Sequence, residues 1–330
     1  MPEPTNEPPM PAPENARGPV SQPSRIHAVP VRHPGRWIAT VFLLASGLVF
    51  VKSLTTNPRY KWGVVGDYLF SKPILDGVRL TLLLTVVAQA LGIAIGVLLA
   101  VMRLSSNPVL SRGAWGFLWF FRGTPLLVQL IFWYNVSALY PTVSIGIPFG
   151  PTFVRGNANA IVTPFAVAIL GLALNEGAYM AEIVRGGVVG VDRGQAEAAK
   201  ALGMTHMKTL RRIVLPQAMK LIVPPTGNQT ILMLKTTSLV SVVALADLLY
   251  SAQAIYARNF QTMPLLVVVS LWYLSITSVL TVGQHYLEKY FSKGSANAGE
   301  TGLGVRLWRN LTTFRATPEA GKREAGTANV

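Results

Sequence analysis

The sequence predicts an all-α, polytopic membrane protein with about six transmembrane helices. Three observations carry that expectation. Hydrophobic residues make up 51% of the 330 positions and charged residues only 13%, against about 25% charged in a soluble domain. Mean hydropathy is positive, at +0.41. Several apolar runs approach or exceed the roughly 18 to 20 residues that cross a bilayer as a helix. The formal net charge of +15 would suit a nucleic-acid partner. The lysines and arginines are instead spread over tails and loops beside the apolar runs, so no nucleic acid is expected. Cysteine is absent, which excludes a disulfide frame, a thiol nucleophile and a cysteine metal site.

Residues 1–36 read as a disordered, proline-rich tail: ten of the first 34 residues are proline, and nothing there can bury a core. The tail lacks the apolar core of a signal peptide. An additional first span follows at 37–54, read as a retained anchor. Residues 55–77 are a loop of mixed charge. Span two covers 78–102 and carries Gly92 and Gly96 four apart, either a helix-packing groove or the ordinary glycine of membrane helices. Residues 104–123 begin polar and end in Trp115, Phe117, Trp119, Phe120 and Phe121. Aromatic residues gather at the membrane interface, so an interfacial helix or a bent entry to the next span is expected. Span three is placed at 125–140, with Thr124 as cap and Pro125 at the first helical position. A loop rich in Pro, Gly and Thr runs to 159. Span four covers 160–184, apolar in its first half and polar in its second. Span five runs from about 213 to 239, interrupted by Pro224, Pro225 and Gly227. A kink at its cytoplasmic end is favoured over a break that lines a cavity. Residues 240–262 form an outer-face helix, 263–286 the sixth span, and 289–330 a basic, flexible tail.

Lysine and arginine counts set the orientation. Loops 55–77, 140–159 and 240–262 hold three, one and one. The N-terminal tail, 103–122, 185–212 and the C-terminal tail hold three or more each. Both termini and the 185–212 loop are therefore expected in the cytoplasm.

No Gly-x-x-x-x-Gly-Lys-Ser/Thr or His-Glu-x-x-His run occurs, so no phosphate cradle, metal site, cofactor or catalytic group is expected. The chemistry lies in polar residues within the spans. Glu176 sits about 24 Å into span four at 1.5 Å per residue. A carboxylate there costs several kcal/mol unless paired or wet. Asn175, Tyr179 and Glu182 share one helical face at i, i+4 and i+7, and Lys235 is the reciprocal charge on span five. Asn175, Glu176, Tyr179 and Lys235 are candidate pathway residues lining a wet cavity. The competing account is a structural hydrogen bond or ion pair between spans four and five.

The loop before span five is patterned. It reads Glu197-Ala198-Ala199, three residues, Gly203, nine residues, then Ile213-Val214-Leu215-Pro216. Ala196, Ala199, Gly203 and Met207 would make one small-residue face of a helix, able to approach another protein closely. Glu197 would lie in the first turn after Gly194, where the helix dipole favours a negative charge. The pattern describes a docking peg.

That spacing resembles the cytoplasmic coupling loop of ATP-binding-cassette importer permeases, matched at Glu197, Ala198, Ala199, Gly203, Ile213, Leu215 and Pro216. Arg122 to Gln129, Asn175 to Glu182, and Asn228-Gln229 through Lys235 to Leu239 are similar to the polar amino-acid branch, which includes histidine, glutamine, glutamate and arginine systems. The resemblance spans about 78–288, the expected permease domain. It implies a type I importer permease fold in the cell's inner membrane and a cytoplasmic pair of ATP-binding subunits. It also implies a second permease subunit, identical or related, an extracytoplasmic solute-binding protein and a polar amino acid as solute. Nucleotide binding would move the coupling helix as a lever. Two departures stand: the branch usually lacks the extra first span, and its substrate-contacting positions vary. An opine, another amino-acid derivative or an organic cation remains an alternative solute. An ion- or proton-coupled carrier using Glu176 and Lys235 remains an alternative class.

Overall fold

The computed structural model describes residues 34–146 and 152–291. The expected tails, 1–36 and 289–330, lie outside the described residues apart from Pro34–Arg36 and Lys289–Phe291, which are helical. The described residues divide into two units, 34–50 and 51–291. Most of α1 (Pro34–Thr56) falls in the first. Its Trp37–Thr56 stretch is long and apolar enough to cross a membrane. The other described elements all belong to the second unit.

In that unit, α2 (Trp62–Leu69) leads into α3 (Lys72–Leu104), a single helix of 33 residues. Then come α4 (Pro108–Gly123), α5 (Leu126–Tyr134) and α6 (Val136–Leu139). After a small hairpin and α7 (Ala158–Ile161) comes α8 (Pro164–Val189). The succeeding elements are α9 (Arg193–Ala201), α10 (His206–Thr209), a π-helical turn at Leu210–Val214 and α11 (Leu215–Thr236). A 3₁₀ segment, Thr237–Val243, precedes α12 (Leu248–Asn259) and α13 (Thr262–Phe291). Start signals are chemical: Asn107 caps α4 by accepting from Val109 N, Thr163 caps α8 from Ala166 N, and buried Asp247 caps α12 from Leu249 and Tyr250 N.

α3 and α8 form the centre and run parallel. A Cβ on Gly92 would lie 2.5 Å from Glu176 Cγ, and one on Gly177 would lie 2.5 Å from Ile95 Cγ2. The Gly92–Gly96 pair is therefore a packing groove, and α8 fills it. α11 runs antiparallel to α8, with Ile222 against Gly187 and Gln229 against Glu176. Leu84, Leu130, Leu172 and Met233 join α3, α5, α8 and α11 in one apolar cluster. Ile74, Leu248, Leu265 and Val268 join α3, α12 and α13 in another.

Among the described residues four helices are long and apolar enough to span, and counting each of two bent pairs as one span brings the number to six. The all-helical, six-span expectation holds in that form. Three expectations need correction. Span three is not continuous over 125–140: α5 has nine residues, only about 14 Å, and meets α4 at 99°. Thr124 is extended (φ −114°, ψ 142°), as the residue before a proline prefers. The helix stops again at Asn135, whose Nδ2 donates to Ile131 O at 2.8 Å. Second, the expected loop up to 159 contains an antiparallel hairpin, β1 (Thr142–Gly146) with β2 (Thr152–Asn157). Third, α11 continues through Pro224, Pro225 and Gly227. Two prolines remove two ladder donors, yet packing holds the helix. Gly227 lets Gln284 of α13 close in, with a Cβ position only 3.2 Å from Gln284 Cγ. The interruption comes later, at the 3₁₀ segment and Ala244, which is left-handed (φ 56°).

Candidate functional site

A cavity of about 550 Å³ opens between the α4–α5 bend, α8 and α11. Glu176 forms part of its wall and is 3% exposed. It lies 12 residues past Pro164, about 18 Å along the helix. That is nearer mid-helix than the expected 24 Å, because α8 begins later than the apolar run. Each carboxylate oxygen accepts one hydrogen bond: Oε1 from Gln89 Nε2 of α3 at 3.2 Å, Oε2 from Gln229 Nε2 of α11 at 3.1 Å. Both partners are neutral amides. Among the described residues no cation pairs with Glu176; the ion pair found there is Glu182–Arg185, at 2.7 Å. Gln89 Oε1 is buried without a partner.

The opposite wall carries a positive group. Arg122, at the end of α4, lines the cavity and lies over the Tyr179 ring, 5.5 Å from its centroid, a cation–π geometry. Asn175 Nδ2 donates to Phe121 O at 2.9 Å. Gln129 Nε2 donates to the same carbonyl at 3.1 Å and to Thr124 Oγ1 at 2.7 Å. These two amides satisfy backbone that the α4–α5 bend leaves open, and so fix Arg122 at the cavity. Asn175, Glu176 and Tyr179 are thus brought together as expected. Lys235 is not: it is exposed, forms no ion pair among the described residues and does not line this cavity. The reciprocal group on α11 is Gln229. Gln89 and Gln129 were missed as site residues; the available signal was a lone amide inside an apolar run. No group of three or more His, Asp or Glu is placed to hold a metal among the described residues.

The patterned loop folds as α9, α10 and the π-turn. Its details correct the sequence reading. Asp192, not Glu197, places a carboxylate at the α9 N-terminus, accepting from Gly194 N at 2.8 Å; the first turn itself has no acid. α9 ends at Ala201, so Gly203 is not on its face. Gly203 is left-handed (φ +75°) and closes the helix: its N–H donates to Lys200 O at 2.9 Å and Met204 N donates to Ala199 O at 3.0 Å. That is the Schellman arrangement. Ala199 is buried and α9 packs on the π-turn, so the small face is used within the chain. Glu197 and Ala198 are exposed, and Leu202 (82%) and Met207 (67%) project furthest. Pro216 explains the π-turn: it has no N–H for Arg212 O, and Leu215 N donates to Leu210 O instead. Ile213 is half-buried and Leu215 exposed at this junction.

Gly203→Val is expected to disrupt the cap, because a β-branched residue is strained at positive φ, by about 1–2 kcal/mol for the backbone alone, and hydrogen exchange at the Gly203 and Met204 N–H groups should speed up. Gly203→Asn should keep most of the protection, since Asn tolerates this conformation. Nothing lies within 4 Å of a Cβ there. If Asn lost protection as completely as Val, backbone conformation would not be the requirement at this position.

Residues 92–293 match the family described as the inner membrane component of binding-protein-dependent transport systems. The chain belongs to this family. It is a family of transport components and not of enzymes, and its matched region contains both Glu176 and the Glu197–Pro216 loop. The chain is 47% identical over 277 residues to the arginine transport system permease protein ArgU of Corynebacterium glutamicum, covering 83% of this chain and 86% of that one. It is 36% identical to the nopaline transport system permease protein NocM of Agrobacterium fabrum, covering 63% and 83%. It is 34% identical to the glutamine transport system permease protein GlnP of Escherichia coli, covering 66% and 91%. A crystal structure of an amino acid ABC transporter with histidines matches with TM-score 0.58 at 33% identity, over 66% of this chain and 94% of that chain. The inward-facing MetNI methionine ABC transporter shares the fold, with TM-score 0.54 at 19% identity, over 67% and 99%.

Proposed function

We propose that the chain is the permease subunit of an ATP-driven importer for polar amino acids, with cationic ones such as arginine preferred. The observation that carries the reading is the buried Glu176 carboxylate, held by two neutral amides and facing a cavity that also holds the Arg122 guanidinium. A solute bearing an ammonium or guanidinium group supplies the counter-charge that Glu176 lacks, and its carboxylate complements Arg122. Similarity to arginine and glutamine permeases supports this solute class. The relative named for nopaline transport keeps nopaline as a second candidate.

Two permease subunits work with two cytoplasmic ATPase subunits, which carry out all hydrolysis, and with an extracytoplasmic solute-binding protein. Both termini are cytoplasmic, residues 37–54 anchor the chain, and residues 78–288 form the translocation domain. Glu197, Ala198, Ala199, Gly203, Ile213, Leu215 and Pro216 belong to the coupling segment, with exposed Leu202 and Met207 at its tip. ATP binding moves this segment as a rigid lever, biasing a two-state cavity. Proteoliposomes holding the permease and ATPase should accumulate labelled arginine when supplied with solute-binding protein outside and ATP inside, with unlabelled nopaline and glutamine as competitors. Arginine accumulation by the chain without an ATPase would overturn the reading.

A further inference from the structure

Lysine and arginine counts assign the α12–α13 turn and the segment before α2 to the outer face, and the two are joined there. Phe260, between α12 and α13, is left-handed (φ 59°) and 86% exposed. It occupies the place that glycine usually takes after a helix, and its N–H closes α12 on Tyr256 O at 2.9 Å. A bulky residue in this conformation is a strained outlier. Such strain persists only where the surroundings over-determine it, and here they do. Gln261 N donates to Asn259 Oδ1 at 3.0 Å, and Asn259 Nδ2 donates to Tyr68 OH at 3.2 Å. Lys61, itself left-handed (φ 45°), donates through Nζ to Gln261 Oε1 at 2.9 Å. Two strained backbones far apart in sequence are thus latched together, and the result is one aromatic residue held out with most of its surface uncovered. Arg59, Lys61 and Arg258 are exposed on the same two segments.

We propose that this latched turn is the docking anchor for the solute-binding protein, with Phe260 entering an apolar socket ringed by acidic residues on that protein. The proposal rests on the importer reading above. The family itself supplies the partner class, since its transport systems depend on a binding protein. A pre-positioned, largely exposed aromatic has the character of a binding hot spot, because little freedom is lost on association. The basic rim favours an acidic partner surface and speeds encounter. A bilayer would accept an aromatic ring from any helical position and demands no left-handed backbone.

The test uses the permease assembled with its ATPase in nanodiscs, titrated with the fluorescently labelled solute-binding protein that supports wild-type uptake. Phe260→Gly removes the ring and relieves the backbone, so the melting temperature should not fall, while Kd should rise about 30-fold. Arg258→Glu should also weaken binding and flatten its salt dependence. A Kd for Phe260→Gly within about twofold of wild type, a margin smaller than any hot-spot loss, would overturn the anchor. So would quenching by brominated lipid of a fluorophore attached at Phe260→Cys, a unique label because the chain has no other cysteine, which would place this position in the membrane. Failure of wild-type permease to bind any solute-binding protein would remove the importer reading itself, and the anchor with it.

Discussion

Glu176→Gln is expected to lower arginine uptake by about a hundredfold while the permease still inserts and assembles. The two side chains have the same shape, and the site is built to accept either. The amide keeps one acceptor oxygen for Gln229, and the Gln89 amide can turn over so that its Oε1, buried without a partner, accepts from the new N–H. The hydrogen bonds survive and only the charge is lost. Glu176→Leu would behave differently. It leaves the buried Gln89 amide without its acceptor, costing about 1–3 kcal/mol, and takes the half-buried Gln229 amide's acceptor as well, so assembly itself should suffer. Labelled-arginine uptake and size-exclusion chromatography on the same preparations separate the two effects. Wild-type uptake by the Gln variant would reduce Glu176 to a structural hydrogen-bond acceptor.

What the sequence made legible was chemistry that breaks a pattern. A carboxylate in an apolar run identified Glu176, and Asn175 and Tyr179 followed from helical spacing. Gln89 breaks its run just as clearly, but an uncharged amide costs less to bury, and only the distance to Glu176 gives it a role. Lys235 failed for the opposite reason. A charge at a helix end can leave the packed interior through its long stem, and spacing alone does not say which way it turns. The loop pattern marks α9, but its small-residue spacing runs past the helix end to Gly203, and glycine just past a run of good helix formers is a stop signal. The prolines misled in the other direction. Pro224 and Pro225 have poor helix propensity, but α13 packs on the segment from outside, with Gln284 Nε2 donating to Pro224 O at 3.5 Å. Tertiary packing overrides propensity there. Short α5 was hidden because its apolar composition continues into α6, and only Asn135 marks the stop.

Gly96→Leu should be the most damaging single change in the core, with little folded permease recovered. A Cβ on Gly96 would overlap Met180 Cβ and stand 2.9 Å from both Met180 C and Ala181 N. Two of those three atoms are backbone, so no rotamer change makes room, and α3 must move away from α8. Overpacking of this kind costs about 1–3 kcal/mol when neighbours can shift and more when they cannot. The damage reaches function through geometry. Gly92, one turn earlier, seats Glu176 directly, and the Gln89–Glu176 bond crosses the same interface. Separating the helices by even an ångström would break that bond and tilt the carboxylate away from the cavity. Gly113→Leu provides the comparison, because nothing lies within 4 Å of a Cβ at Gly113. Thermal unfolding of detergent-solubilised protein should show a large loss for Gly96→Leu and almost none for Gly113→Leu. Equal melting temperatures would mean that α3 and α8 are not held at the glycine-to-backbone contact on which the position of Glu176 depends.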